Sequence, residues 1–549
     1  MSDRPSFGYK LRKDALAIGP ALSAPKPPLA AVPVVTPPAA TTTATTVATT
    51  ATDRRLPGKM PLLRLSAKVV RVWPERVFLC VTGGHLGMTR GSATVAGYRA
   101  RVASTRQTAT VSARPVGQAW YRRGGPLLAV GAAAFGVALA GYIIFALTSP
   151  SHQWMDPVDL RVYTDGGLIV RHVRPFYRAF RAAPLYDWPG YAHLPFTYSP
   201  FAAMVFTAGS VVSFKTLAQI SVGVNLAAML GCVWMTLGGL GCRRGLARLG
   251  ATLLLAAPLL WTEPIQRTLF LGQIEIVLMT LIIWDQVQPD RRWWKGAGIG
   301  IGAGIDLIPL IFIPYLVLAG KLRQAAVATG VFATTVVIGF IALPHDSVTF
   351  WLTGYFLHAG DFSNTSQGSL LNQSLLALVT RTPAGAGSVA GLWLGVAAVV
   401  GCLGLLAAAA LARTGRPTAG WVTCAVTGVL ISPISWDNHW IWIVPLLAVL
   451  ADAGFRARGA ARWGFWGFGA ALAAVFADWP AHWTGRLAFV PHGLVGFDVR
   501  RHPMSEIFHL NGIQLVSWNL FVLGGLAMFG FLVALAWLAW RNRTSAAAT

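Results

Sequence analysis

Residues 122–147 read RRGGPLLAVGAAAFGVALAGYIIFAL, two arginines followed by an unbroken apolar run from Pro126 to Leu147. As a helix rising ~1.5 Å per residue, a run of that length covers the ~30 Å hydrocarbon thickness of a bilayer. Apolar runs of roughly 17 to 25 residues recur from here to position 540, and Arg or Lys bounds most of them at one end. Composition agrees. Of 549 residues, 54% are apolar and 12% charged, about half the charged share of a soluble domain. The chain is predicted to be an all-α, polytopic integral membrane protein.

The basic residues orient the spans, because Lys and Arg concentrate on the cytoplasmic side. Arg122-Arg123 place the start of span 126–147 inside, so the polar stretch 148–196 is expected outside. Segment 198–214 is short and contains Pro200, and it is read as a helix lying at the outer interface. Span 217–240 descends to Arg243, Arg244 and Arg248, and 247–262 rises to a turn at Glu263-Pro264. Span 269–287 descends to Arg291, Arg292 and Lys295, and a short pair (294–305 and 309–320) turns at Asp306. Spans 323–343, 388–412, 418–434, 439–453, 462–478 and 513–540 continue the alternation. The result is about twelve crossings with both termini in the cytoplasm.

The net charge is +25, of which +15 lies in residues 1–125, where 19 Lys and Arg face 4 Asp and Glu. The remainder flanks spans rather than clustering with stacking aromatics on a folded surface, so no nucleic-acid partner is expected. Residues 14–53 are a low-complexity Ala/Pro/Thr tract that cannot bury a core. Residues 1–123 read as a disordered cytoplasmic tail, or as an over-extended start with Met88 as an alternative; 124–543 form the membrane domain and 544–549 a cytoplasmic end. The five cysteines, Cys80, Cys232, Cys242, Cys402 and Cys424, show neither CxxC pairing nor metal spacing. The alternating glycines from Gly296 to Gly304 lack the Lys-Ser/Thr of a phosphate loop and suit close helix packing.

Since basic residues alone set this topology, the remaining polar residues test it independently. Asp159, Asp187, Glu263, Asp306, Asp361, Asn372, Gln373, Asp437 and His439 all fall on the expected outer side, with Gln273 within a turn of it. Ionisable groups at membrane depth are costly and mark function. A transporter would gather them near the bilayer midplane and show an internal repeat. Here they gather at the outer ends of spans, which favours an enzyme at the membrane surface.

The pieces that carry these residues are D-L-x-V-Y at 159–163, L-P-F-T-Y-x-P at 194–200, L-G-Q-I at 271–274, N-Q-S at 372–374 and S-P-I-S-W-x-x-H-W at 432–440. In order and spacing they resemble family 87 glycosyltransferases, a branch of the membrane-embedded GT-C class, from about Asp159 to the last span. The resemblance implies a GT-C fold with outer-face juxtamembrane helices. It also implies transfer of mannose from a polyprenyl-phosphate carrier to a glycolipid or lipoglycan acceptor at the outer face of the plasma membrane, by an inverting mechanism if the donor is β-linked and the product α-linked. Membrane lipids would surround it, and no cofactor or metal is expected. Arabinofuranose from the same type of carrier is the alternative sugar, and a glycolipid transporter or a degenerate assembly partner are the alternative classes. The chain departs from the family pattern twice. Asp306-Leu-Ile-Pro309 stands where members carry K-L-x-P, and Asn438-His439 where they carry two histidines. If that Lys contacts the donor phosphate, Arg267, Arg161 and Arg171 are the candidate replacements.

Glycosyl transfer needs a base for the acceptor hydroxyl and stabilisation of the leaving phosphate. The resemblance assigns the base to Asp159, whose plainer role would be capping the helix that begins at Leu160. His439 is the second candidate catalytic residue, reaching the donor phosphate or a sugar hydroxyl, with an interfacial or core histidine as the plainer reading. Glu263, Asn372 and Gln373 are candidate acceptor or sugar contacts. Gln273 must find a partner in an apolar helix, either sugar or another helix. Tyr163, Tyr198 and Trp436 can stack on a sugar or simply sit at the interface.

Overall fold

A computed structural model of the chain describes residues 124–148, 154–172, 185–186, 194–357, 369–382, 389–478, 510 and 512–548. The expected tail at 1–123, Asp187 and Asp361 lie outside the described residues. Among the described residues there is no strand, only isolated bridges at Thr262–Ala477 and Asn372–Trp436. Among the described residues the α-helices of seven residues or more are α1 (Gly124–Thr148), α2 (Val158–His172), α3 (Pro200–Phe206), α4 (Phe214–Gly239), α5 (Leu246–Leu259), α6 (Glu263–Leu271), α7 (Glu275–Val287), α8 (Ala297–Ile305) and α9 (Phe312–Leu318). They continue with α10 (Leu322–Ala342), α11 (Leu375–Arg381), α12 (Val389–Arg413), α13 (Pro417–Ile431), α14 (Ile443–Arg456), α15 (Ala460–Val475) and α16 (Leu520–Ala548).

Among the described residues, six helical segments are long and apolar enough to cross a membrane: α1, α4, α10, α12, Asp437–Arg456 and Leu520–Arg543. The bent pair α6–α7 makes a seventh if it counts as one span. The sequence-based count of about twelve also included shorter apolar helices such as α5, 14 residues, and α13, 15 residues. At ~1.5 Å per residue these fall short of the hydrocarbon thickness by themselves. The polytopic, all-helical architecture is clear without them.

Outer helices show apolar faces. On α1 only Gly131, Tyr142 and Phe145 are buried, while Val137 and Leu147 are 75% and 80% exposed. Such a surface is stable against lipid tails and not against water. Small residues bring α1 and α5 together: a methyl group on Gly250 would stand 2.6 Å from the Leu127 carbonyl carbon. That is the close backbone approach membrane helices use in place of a hydrophobic driving force. Elsewhere α4 packs on α7, α8 on α10, α12 on α13 and α16, and α14 on α15.

Helix ends that the basic residues assign to one side touch one another. Arg456 donates to the Leu240 carbonyl at 2.9 Å, Arg543 to the Arg413 carbonyl at 2.5 Å, and Asp290 accepts from both Lys295 (2.8 Å) and Lys321 (3.4 Å). Cations on helix C-terminal carbonyls satisfy groups the helix itself leaves orphaned.

One segment differs from its sequence reading. The stretch 269–287 looks like a continuous span, yet it breaks at Gly272–Ile274, where the path bends by 117° between α6 and α7. Gly272 has φ +70°, and a methyl group there would stand 2.7 Å from Leu160 Cβ and 3.3 Å from Pro157 Cβ. Hydropathy is blind to both constraints. The start of α2 is tied to the break, because the Asp156 amide donates to the Phe270 carbonyl at 3.0 Å. Gly272→Ala is therefore expected to cost about 1–3 kcal/mol of stability and to lower activity by displacing α2. Thermal unfolding in detergent beside an activity assay checks this.

Candidate active site

The broken span builds the site. Gln273, the first residue after the left-handed glycine, points its side chain to α2. Its Nε2 donates to Asp159 Oδ2, while its Oε1 accepts from Tyr163 and, at 3.4 Å, from Tyr198. The two tyrosine hydroxyls are 2.9 Å apart and their rings meet edge to face. Asn225 of α4 holds the Gln273 backbone carbonyl at 3.0 Å. Both polar atoms of the side-chain amide and both phenols are thus engaged, which restrains the Asp159 rotamer. Asp159 does not cap this helix: α2 begins at Val158, two residues before the expected Leu160, so Asp159 lies inside its first turn.

Beside this network lies a cavity of about 670 Å³, the size of many small-molecule sites. Asp159, Tyr163, Tyr198, Arg267, Gln273, Trp436 and His439 line it, together with Asp306, Asp437 and Asn438. Leu194, Ile305, Phe350 and Phe356 form an apolar wall. Asp159 is half-buried, and its enclosure pushes its pKa up to about 7 against the opposing effects of Arg267 and the Gln273 hydrogen bond; Asp437 and Asp156 add to the rise.

Arg267, 2% exposed, is the cavity's guanidinium. Its Nε stands 3.0 Å from Asp437 Oδ2 and 3.8 Å from Glu263 Oε1. Arg161 instead stacks on the Phe214 ring, 3.6 Å from its centroid, and Arg171 donates to the Ser210 carbonyl at 2.7 Å; neither lines the cavity. Of the three candidate arginines, the fold brings only Arg267 to the site.

Three candidates stand behind the wall. Glu263 is fully buried and faces Arg267. Asn372 Oδ1 accepts from the Ser435 amide at 3.0 Å, and its Nδ2 donates to the Pro433 carbonyl at 3.2 Å. Gln373 donates to the Leu370 and Trp518 carbonyls, both at 2.7 Å. The Asn372 side chain and the Gln373 backbone amide brace the loop that carries Trp436 and Asp437, the Gln373 side chain holds the Trp518–Phe521 turn, and neither side chain lines the cavity. Glu275 was not singled out from the sequence. It follows L-G-Q-I directly and places Oε1 3.8 Å from His439 Nε2, in a small recess that also holds Asp306 and opens beside the main cavity. An acidic residue next to a Gly-Gln pair in an apolar run was the available signal.

A sequence model of glycosyltransferase family 87 matches residues 196–433. Among curated proteins, the chain is 34% identical over 314 residues to the polyprenol-phosphate-mannose-dependent α-(1-2)-phosphatidylinositol pentamannoside mannosyltransferase of Mycobacterium tuberculosis, covering 57% of this chain and 70% of that one. The chain belongs to glycosyltransferase family 87. The corresponding Mycolicibacterium smegmatis protein is 32% identical over 319 residues, 57% of this chain and 73% of its own. A second M. tuberculosis relative, a polyprenol-phosphate-mannose-dependent α-(1-2)-phosphatidylinositol mannoside mannosyltransferase, is 29% identical over 336 residues, 59% of this chain and 76% of its own. No solved structure matches. The match to residues 196–433 of this family 87 glycosyltransferase takes in the broken span and Asn372, while Asp159 and His439 lie outside it.

Proposed function

We propose that this family 87 glycosyltransferase moves a mannosyl residue from a polyprenyl-phosphate carrier to a phosphatidylinositol-mannoside acceptor, or a lipoglycan built on one, at the outer face of the plasma membrane. The observation that carries the reading is the placement of a restrained carboxylate, Asp159, and a guanidinium, Arg267, on the wall of one cavity. The sugar phosphate's C1–O bond breaks and the acceptor oxygen bonds to C1. The acceptor proton passes to Asp159, and the polyprenyl phosphate leaves toward Arg267 and His439. From a β-linked donor, one such displacement gives an α-linked product. The outer-face placement rests on the basic helix ends at Lys295, Lys321, Arg413, Arg456 and Arg543, none of which lines the cavity.

The reading is tested with purified protein in detergent, polyprenyl-phosphate mannose and a mannosylated phosphoinositide. Mannose transfer with an α-configured product by NMR is expected; transfer of arabinofuranose alone would replace the sugar, and transfer of neither would overturn the reading. A base must be ionised to act, so with its pKa near 7 kcat/KM is expected to rise roughly tenfold from pH 6 to pH 8. A flat profile over that range would remove Asp159 from the base role.

A further inference from the structure

A second pocket lies at the basic end of the bundle, away from the active-site cavity. From Glu275, at the cavity, helix α7 runs 13 residues to Val287, about 18 Å. There, Trp234, Gly238, Gly239, Arg244, Arg248 and Gln288 bound a pocket of about 330 Å³ that has no acidic residue in its lining.

Arg248 is 8% exposed, and its guanidinium is fixed on three sides. Nε and Nη2 donate to the Trp234 carbonyl, the plane lies 4.1 Å from the Trp234 ring centroid, and Gly238 leaves it room: a methyl group there would press within 2.7 Å of Cζ. Among the described residues Nη1 donates to no group. Arg244 is exposed at the same pocket. A buried cation whose only charged neighbour lining the pocket is a second cation is a costly arrangement unless an anion joins it. Around the mouth, Trp284 and Trp294 stack with centroids 4.9 Å apart and Trp284 is 41% exposed, as suits the level of lipid headgroups.

We infer that this pocket binds the phosphate of an anionic phospholipid, with Arg248 as the fixed donor, Arg244 as the outer cation and the acyl chains lying along the exposed apolar face beside Trp284. Arginine suits phosphate because its planar fork gives paired donors. The site is independent of the sugar-transfer reading, since it shares no residue with the cavity.

Native mass spectrometry of the whole protein, delipidated and incubated with phosphatidylglycerol or phosphatidylcholine of matched chains, tests it. Two arginines at a headgroup are expected to give roughly thirtyfold preference for phosphatidylglycerol. Gln288→Glu, which sets a carboxylate at the mouth on a half-buried side chain, and Arg244→Gln, on an exposed one, should each reduce that preference severalfold with the fold intact. Arg248→Gln should abolish it. Inorganic phosphate at millimolar concentration distinguishes the sources: if it binds in place of the lipid, the site is one for free phosphate and the lipid assignment falls. Equal retention of the two lipids, or an unchanged preference in both Arg244→Gln and Gln288→Glu, would also overturn it.

Discussion

Asp159→Asn is expected to slow sugar transfer by about 10²–10⁴-fold, the usual contribution of a positioned general base, with little change in donor KM. The amide is nearly isosteric and its oxygen can still accept from Gln273 Nε2, so the network linking Gln273, Tyr163 and Tyr198 has no reason to collapse. What disappears is the capacity to take the acceptor's proton. Single-turnover rates at saturating donor, beside a size-exclusion profile, separate chemistry from folding. A loss under about tenfold would place the base elsewhere, with Glu275, 3.8 Å from His439, as the next carboxylate to test.

Arg267→Gln is expected to destabilise the protein by about 3–5 kcal/mol, the range for removing one member of a buried ion pair. Asp437 and Glu263, 2% and 0% exposed, would lose the guanidinium that faces both. The double variant Arg267→Gln/Asp437→Asn should recover part of that loss, because Asp437 then leaves no unpaired charge and only Glu263 still lacks the guanidinium. Thermal unfolding of the two single variants and the double in one detergent gives the coupling, and strict additivity would show that the pair is not a unit. Transfer should be lost in both Arg267 variants, including the one whose stability partly returns, if the leaving phosphate meets this side chain.

Much of this was legible in the sequence, for identifiable reasons. Helix extents such as Val389–Arg413 against the expected 388–412 follow from runs of apolar residues bounded by arginine, a signal as strong in one dimension as in three. The turn at Asp306 between two short helices announces itself through Asp and Pro309. Gathering Asp159, Gln273 and His439 needed only the rule that polar groups at membrane depth must meet one another. The break after Leu271 was not legible, because one glycine in LGQIEIVL leaves hydropathy unchanged and the neighbour that excludes a side chain there, Leu160, lies more than a hundred residues earlier. Asn372 and Gln373 show the other limit. An amide satisfied by carbonyls of its own chain and one waiting for a sugar look alike until their neighbours are known. Glu275 stayed hidden because it was read as part of a continuous span.

The 117° corner between α6 and α7 has a consequence for how the protein can diversify. Arg267 hangs from one arm of the corner and Glu275 from the other, while Asp159 is strapped to the apex through Gln273 and the Asp156 amide. Three of the groups proposed for the chemistry therefore share a single mount, and His439 meets it from the segment Asp437–Trp442. The apolar wall belongs to other segments; Phe350 there is core, while Leu194 and Phe356 are only partly buried and can be recut at less cost. Substitutions there can change which glycan is admitted while the chemistry stays where it is, so a lineage of such enzymes could exchange substrates without having to rebuild its catalyst.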